Sequence, residues 1–266
     1  VYNAIGKTQG QFPMPFGTNI YLYLDLYLED ENGVKKAIDE AKYLNQKLKN
    51  NLLIVRITRP TTVQIMDFIK NEIRHFSNII LQIDYANKGF SKLIKEDSRK
   101  NNIGMIILTQ EMFKNKNEVK SVLELKIPIF KFGKEKLKSV KRTVVILNDT
   151  HSYEQISPIV FDISSQLKIK TKIFDLDPIW EKESKSGLLD HFENLAKIFN
   201  EKLEIVTSGE NPIRELKKQR NMLQILPLKE AMFKKRIAFK FFYTNSDFLA
   251  FDMDKFNQLL IPISEE

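Results

Sequence analysis

Few side chains in this 266-residue chain are of a type and spacing to do chemistry. Asp149-Thr150-His151-Ser152 gathers an acid, an imidazole and two hydroxyls in one stretch. A Ser-His-Asp relay needs those groups to converge through space, which neighbours in a single turn cannot do. The stretch therefore reads as a turn and helix cap. Its place after a strand, where open parallel sheets bind ligands, still makes Asp149, Thr150 and His151 ligand candidates. Arg56 and Arg59 close a β-branched run and could hold an anion there, or pair with nearby acids. Asp175 and Asp177 fall on one side of another strand end, placed for a ribose or a cation, although turn formation accounts for the same residues. Asp25, Glu29, Asp30 and Glu31 crowd carboxylates together without the loop spacing of a calcium site. Asp30 stays a ligand candidate. His75 and His191 sit in helical patterns, as surface or boundary residues. With no nucleophile and base in sight, the expectation is a protein with neither catalytic residues nor a metal site.

The elements that must position these residues alternate between strand and helix. Tyr21 to Leu28 reads as a strand, and Asp30-Glu31-Asn32-Gly33 as a turn and cap before a helix with Val34, Ala37, Ile38, Ala41, Leu44 and Leu48 on one stripe. Strands at Leu52 to Thr58, Ile79 to Ile83, Ile103 to Leu108 and Ile127 to Phe132 follow, each preceded by a helical segment. Gly104 marks a packing choice or a bulge in the fourth. The order then recurs: strands at Thr143 to Leu147, Thr171 to Phe174, Leu203 to Val206 and Met222 to Leu226, with helices between. Lys126-Ile127-Pro128-Ile129 finds an echo in Leu260-Ile261-Pro262-Ile263, as though two blocks end alike. In each, a helix is expected to stop at the proline. Ile237 to Tyr243 and Phe248 to Phe251 flank a polar turn and read as a β-hairpin found only in the second block, accounting for about 15 extra residues. Trp180 lies in a loop, where it could stack on a base or cover the core. Strands separated by single helices imply crossovers and a parallel sheet covered on both faces.

Composition narrows the classes further. There is no cysteine, which excludes disulfides, thiolate catalysis and cysteine-based zinc sites. With 42 Lys+Arg against 34 Asp+Glu the net charge is +8. Along the sequence the surplus is spread over lysine-rich helices, which argues against a nucleic-acid partner. No stretch is apolar for long enough to span a membrane. Residues 1 to 19 hold Gly6, Gly10, Pro13, Pro15 and Gly17, breakers that forbid regular structure, with Phe12, Met14 and Phe16 between them. They read as a lead-in arm, with a first domain at 20–133, a lysine-rich linker, and a second domain at 142–266. The first residue is Val1, which suggests an excised piece of a longer polypeptide.

The blocks resemble universal stress protein domains in tandem. Three features carry the resemblance: a first strand ending in an acidic turn before a helix, as in Val144 to Thr150; a third strand, short helix and fourth strand, as in Asp84 to Leu108; and a last helix running into a Pro-apolar strand, as in Val119 to Phe130. It implies an α/β fold of two flavodoxin-like domains, each with a mainly parallel five-stranded sheet, paired as a pseudo-dimer. Nucleotide-binding members of the family carry a glycine-rich loop after the fourth strand, whose backbone N–H groups approach phosphates. Here Thr109-Gln110-Glu111-Met112-Phe113-Lys114 and Pro227-Leu228-Lys229-Glu230-Ala231-Met232 contain no glycine, and each puts a glutamate where phosphate would lie. The resemblance leaves room for an adenine nucleotide held without triphosphate-loop contacts. Domains of this kind occur as cytosolic tails of cation/proton antiporters, so the expected function is a non-catalytic regulatory module sensing a small ligand. Its expected partners are a second copy and the membrane part of the same polypeptide, at the inner face of the membrane. A free-standing nucleotide-binding stress protein is the alternative.

Overall fold

The computed structural model describes residues 19–48, 52–147, 151–175, 182–207, 218–228 and 255–263. Residues 1–18 of the lead-in arm, Trp180 and the expected aromatic hairpin lie outside these residues, and Asn19, the last residue of the expected arm, is the first of the opening strand. The first half runs β1 (Asn19–Asp25), α1 (Glu31–Leu48), β2 (Leu53–Arg59), α2 (Val63–Ile73), β3 (Ile79–Ile83), α3 (Phe90–Lys100), β4 (Ile103–Leu108), α4 (Gln110–Phe113), α5 (Lys116–Leu123) and β5 (Ile129–Lys131). After a 3-10 turn at Leu137–Ser139, the second half contributes β6 (Arg142–Leu147), α6 (His151–Leu167), β7 (Lys170–Asp175), α7 (Lys182–Ile198), β8 (Glu204–Thr207), β9 (Met222–Leu228) and β10 (Asn257–Pro262).

Alternation along β1 explains why helices cover both sides. Ile20, Leu22 and Leu24 enter one apolar cluster with Val34, Ile38, Ala41 and Leu44 of α1 and Ile69 of α2. Tyr21 and Tyr23 point the other way, into a second cluster with Phe90 and Ile94 of α3 and Val119 and Val122 of α5. The first cluster continues through Ile156 and Val160 of α6 to Phe192 of α7, and α1 packs on α6. The helices α1, α2, α6 and α7 thus share one side of the sheet.

In place of two separate five-stranded sheets, the strands form one ten-stranded sheet in the order β3-β2-β1-β4-β5-β10-β9-β6-β7-β8. Every pairing among the described strands is parallel but one: β5 and β10 run antiparallel, with Ile129 opposite Leu260 and Phe130 opposite Leu259. That junction turns the second half end for end. The C-terminal edge of the first half therefore shares one end of the sheet with the N-terminal edge of the second.

The Ile-Pro-Ile echo does not mark equivalent places. Pro128 precedes β5, whereas Pro262 is the last residue of β10, so the spacing between the copies does not measure an insertion. Nor does Pro128 end the helix before it: α5 stops at Leu123, and Lys126, in the left-handed region at φ 54, reverses the chain. Gly104 is a bulge, because Asn19 pairs with Ile103 and Ile20 with Met105, leaving Gly104 unmatched. Among the described residues, no helix is long and apolar enough to cross a membrane.

The halves are tied by the chain between β5 and β6, which crosses the N-terminal ends of β10 and β9. Gly133 N–H donates to Asn257 Oδ1 at 3.0 Å, Glu135 N–H to the Lys255 carbonyl at 3.2 Å, and Lys141 N–H to the Asn221 carbonyl at 2.8 Å. Glu40 of α1 accepts from Leu137 N–H at 2.7 Å, and burial holds its carboxyl above the ordinary range.

Candidate functional site

A second bulge builds the site. Leu24 of β1 pairs with Ile57 of β2, but the next residue, Asp25, pairs with Arg59, so Thr58 is skipped. Thr58 turns its hydroxyl to the Leu24 carbonyl at 3.2 Å. The slip brings an arginine across from an aspartate at the C-terminal edge of the two strands. Arg59 Nε donates to Asp25 Oδ2 at 2.7 Å and Nη2 donates to the same oxygen, while Tyr27 N–H donates to Oδ1 at 3.0 Å. Asp25 is buried, whereas the Arg59 side chain is 45% exposed and lies 5.2 Å from the centre of the Tyr27 ring.

Further carboxylates surround this pair. Glu118, on α5, is pushed above the ordinary glutamate range by burial and then by the charge of Asp25, against the pull of Arg59. Glu29 is raised by burial too, and Glu111, Asp30 and Asp25 add to the rise while a hydrogen bond with Thr109 opposes it. Its Oε1 is buried without a hydrogen-bond partner, as is Thr61 Oγ1 in the connection from β2 to α2. The Glu29 carboxylate lies over the first turn of α1. A Cβ at Gly33 would stand 2.6 Å from Glu29 Oε2, so a larger residue there would push the carboxylate aside. Asp30 caps the same turn, accepting from Gly33 N–H at 2.7 Å. Thr109 accepts from Met112 N–H at 3.3 Å and so caps α4, and Glu111 accepts from Lys114 Nζ at 2.7 Å. The loop after β4 is thus a capped helical turn, not a glycine cradle. Tyr27, Leu28, Val63 and Tyr85, all exposed, stand at the ends of β1, β2 and β3 along the same edge.

Of the residues singled out from sequence, Asp30 and Arg59 come together here. Arg56 does not. It sits mid-strand in β2, opposite Tyr23, where its Nε donates to Asp97 Oδ2 of α3 at 3.0 Å; Tyr23 Oη donates to the same oxygen at 2.9 Å. These groups are packed against Phe90, edge to face with Tyr23. Burial, followed by the charge of Asp97, pushes the Tyr21 hydroxyl up to about 12 and raises Tyr23 further. Arg56 therefore belongs to the core beneath the edge. His151 opens α6 and Asp175 ends β7, facing Leu147 in register, so both lie at the opposite end of the sheet from Asp30 and Arg59. Asp149, Thr150 and Asp177 lie outside the described residues.

Sequence reasoning missed Glu118, Tyr27 and Thr109 as members of the site. Glu118 lies within an ordinary amphipathic helix and meets Asp25 only through the tertiary fold. A Ser157 Oγ to His191 Nε2 contact of 2.8 Å joins α6 and α7, but Ser157 is fully buried between helices and out of reach of a substrate. His75 is exposed and accepts from Arg74 Nε at 2.9 Å. Among the described residues, no group of three or more His, Asp or Glu side chains is arranged to hold a metal.

No family model matches the chain, and no curated protein matches it. Solved structures do. A functionally unknown protein from Pseudomonas aeruginosa PAO1 is 11% identical, with 93% of each chain covered and a TM-score of 0.63. A putative universal stress protein from Pseudomonas aeruginosa UCBPP-PA14 is 12% identical, covering 93% of this chain and 94% of that one, with a TM-score of 0.63. A universal stress protein from Archaeoglobus fulgidus DSM 4304 is 12% identical, covering 91% and 97%, with a TM-score of 0.53. At these identities the likeness concerns the backbone alone: the chain has a universal stress protein-like α/β fold with a mostly parallel sheet.

Proposed function

We propose that the chain is a non-catalytic regulatory module whose halves are tandem universal stress protein-like domains, and that it binds a small ligand at the C-terminal edge of β1, β2 and β4. The observation that carries this reading is the make-up of that edge. Asp25 is held by a half-exposed Arg59, Glu29 and Glu118 are partly buried beside them, and exposed Tyr27 and Tyr85 offer ring faces along the rim. Among the described residues, the carboxylates Asp25, Glu29, Asp30, Glu111 and Glu118 outnumber the cations Arg59 and Lys114, so the edge repels phosphate and favours a neutral or cationic ligand with hydroxyl or amine donors. Of the adenine compounds, a nucleoside suits it better than a nucleotide, and a monophosphate fits only with its phosphate turned to solvent. Among the described residues no nucleophile stands beside a base at this edge, which supports a sensing role over a catalytic one.

The setting we favour is the cytosolic tail of a cation/proton antiporter, with a second copy and the membrane part of the polypeptide as partners. Ligand-dependent change would pass through the segment before β1. The free-standing nucleotide-binding protein is the competing setting, and the fold accommodates both. Thermal-shift measurements with adenosine, AMP, ADP and ATP test the site. Stabilisation that falls as phosphates are added supports the reading, and stabilisation greatest with ATP overturns it. A coding sequence with membrane spans upstream of Val1 supports the antiporter setting; one without them overturns it.

A further inference from the structure

The end of the sheet that carries this acidic edge is basic across its other half. Because β10, β9, β6, β7 and β8 run opposite to β5, the segments leading into them all emerge at one rim. The crossing chain brings Lys134, Lys136, Lys138 and Lys141 there, all exposed. Lys168 and Lys170 stand at the entry to β7, Lys202 before β8, and Lys218 and Arg220 before β9, again all exposed. Hydrogen bonds fix these segments side by side: Lys141 N–H to the Asn221 carbonyl at 2.8 Å, Lys255 Nζ to the Gln219 carbonyl at 2.7 Å, and Asn221 N–H to Glu135 Oε2 at 2.8 Å. Five strand spacings separate β5 from β8, so the row is on the order of 24 Å long.

The acids on this rim are engaged elsewhere. Glu135 is turned inward to Asn221 and Lys255, Glu201 accepts from the Thr171 hydroxyl at 2.9 Å, and Glu204 is held by Lys172 at 2.9 Å. Among the described residues, the exposed cations of the row have no carboxylate within ion-pair distance. Glu40 and Glu204 draw on Lys136 and Lys170 only at longer range, and the exposed cations of the row outnumber the described carboxylates beside them.

We propose that this rim is a docking surface for an anionic lipid bilayer. A leaflet rich in acidic headgroups presents diffuse negative charge over a plane, which a row of lysines meets as point charges without needing fixed geometry. Single-stranded nucleic acid asks for aromatic platforms among the cations. Among the described residues, the exposed rings of Tyr27 and Tyr85 stand at the edge of the first half, the exposed apolar side chain beside the row is the aliphatic Ile198 at the end of α7, and the row holds one arginine against many lysines. The carboxylates of the first half, at the same end, are repelled by such a surface. They tilt the molecule so that the second half lies down and the edge at Asp25 stays open. This inference holds in either setting considered above, since it depends on the rim and not on the ligand.

The test is co-sedimentation of the full chain with phosphatidylcholine vesicles, with and without about one-third phosphatidylserine, at about 0.15 M salt. Wild type is expected to pellet with the anionic vesicles only. Each lysine near such a surface is worth roughly fivefold in partitioning. Combined Lys134→Glu, Lys138→Glu and Lys141→Glu should therefore weaken binding by at least about a hundredfold. A second variant on the outer strands, Lys168→Glu with Lys170→Glu and Lys202→Glu, should do the same, and keeps the test alive if the first fails to fold. Lys92→Glu with Arg99→Glu and Lys100→Glu, on α3, makes the same charge change away from the rim and should leave binding nearly intact. Failure of wild type to bind anionic vesicles overturns the proposal, as does an equal loss in the α3 variant. Retention of RNA that the rim variants abolish, with vesicle binding unaffected by them, overturns it in favour of nucleic acid.

Discussion

Replacing Arg56 by methionine separates a core role from a site role. The Arg56 side chain is 13% exposed and that of Asp97 8%, and they meet at 3.0 Å with Tyr23 Oη on the same carboxylate oxygen. Methionine keeps most of the apolar stem and removes the charge. Asp97 would then remain a carboxylate in the protein interior with one neutral donor. A hydrogen bond between charged partners contributes about 1.5–3 kcal/mol, and an abandoned buried charge raises the loss on breaking the pair to about 3–5 kcal/mol. For a chain of this length that is a fall in Tm of roughly 10 °C. Equilibrium urea unfolding at neutral pH measures it. The triple change Arg56→Met, Asp97→Leu and Tyr23→Phe removes every polar member together, and should return to within about 1–2 kcal/mol of the parent, because apolar groups that fill the same space replace a buried pair at little net cost. A loss below about 1 kcal/mol for Arg56→Met alone would refute the reasoning, since the pair would then behave as a surface one.

Arg59→Met should behave in the opposite way. Its side chain is nearly half exposed, so stability should fall by about 1 kcal/mol or less, while the thermal shift given by adenosine disappears. Glu118 holds its proton to higher pH in the folded chain than the ordinary glutamate value of 4.5, chiefly through burial. The parent should therefore lose stability as pH rises from 4.5 through the folded value, a loss that Glu118→Gln escapes. Calorimetry should show the two equal near about pH 4 and the variant melting higher at about pH 8. Gly133→Ala would place a Cβ 2.2 Å from the Phe256 carbonyl carbon. Backbone cannot yield there as a side-chain tip would, so the crossing chain should lift from β10 at a cost of about 3 kcal/mol, seen as a lower unfolding midpoint.

The strand and helix order was legible because the local signals agree with the fold. The β3 and β4 bounds match their apolar runs, and the α1 stripe is the buried face of that helix. Bulges were legible only in part. Gly104 announced itself as a glycine in a strand, but the slip at Thr58 leaves no mark in the residue types, and it is that slip which sets Arg59 across from Asp25. Reading Arg56 and Arg59 as a pair failed for the same reason. Three residues apart in a regular strand they face opposite sides, and only the bulge and the position of α3 decide that one is buried and the other reaches the edge. The Ile-Pro-Ile echo misled because a tetrapeptide match carries no register, whereas the pairing of Ile129 with Leu260 does.

Charge was the property least visible along the chain. Read in order, the lysines are dispersed, separated by acids and by whole helices. A parallel half-sheet, however, delivers the residue before each strand to one rim, and a single antiparallel junction sets that rim beside the strand ends of the other half. The carboxylates around Asp25 follow strand C-termini, and the lysines from Lys134 to Lys218 precede or bridge strand N-termini. Strand C-termini of the first half thus gather acids and strand N-termini of the second gather lysines, and the β5–β10 pairing brings the two together at one end. Had the halves joined in parallel, the acidic edge and the basic rim would lie at opposite ends, and no docking of one could govern the approach to the other.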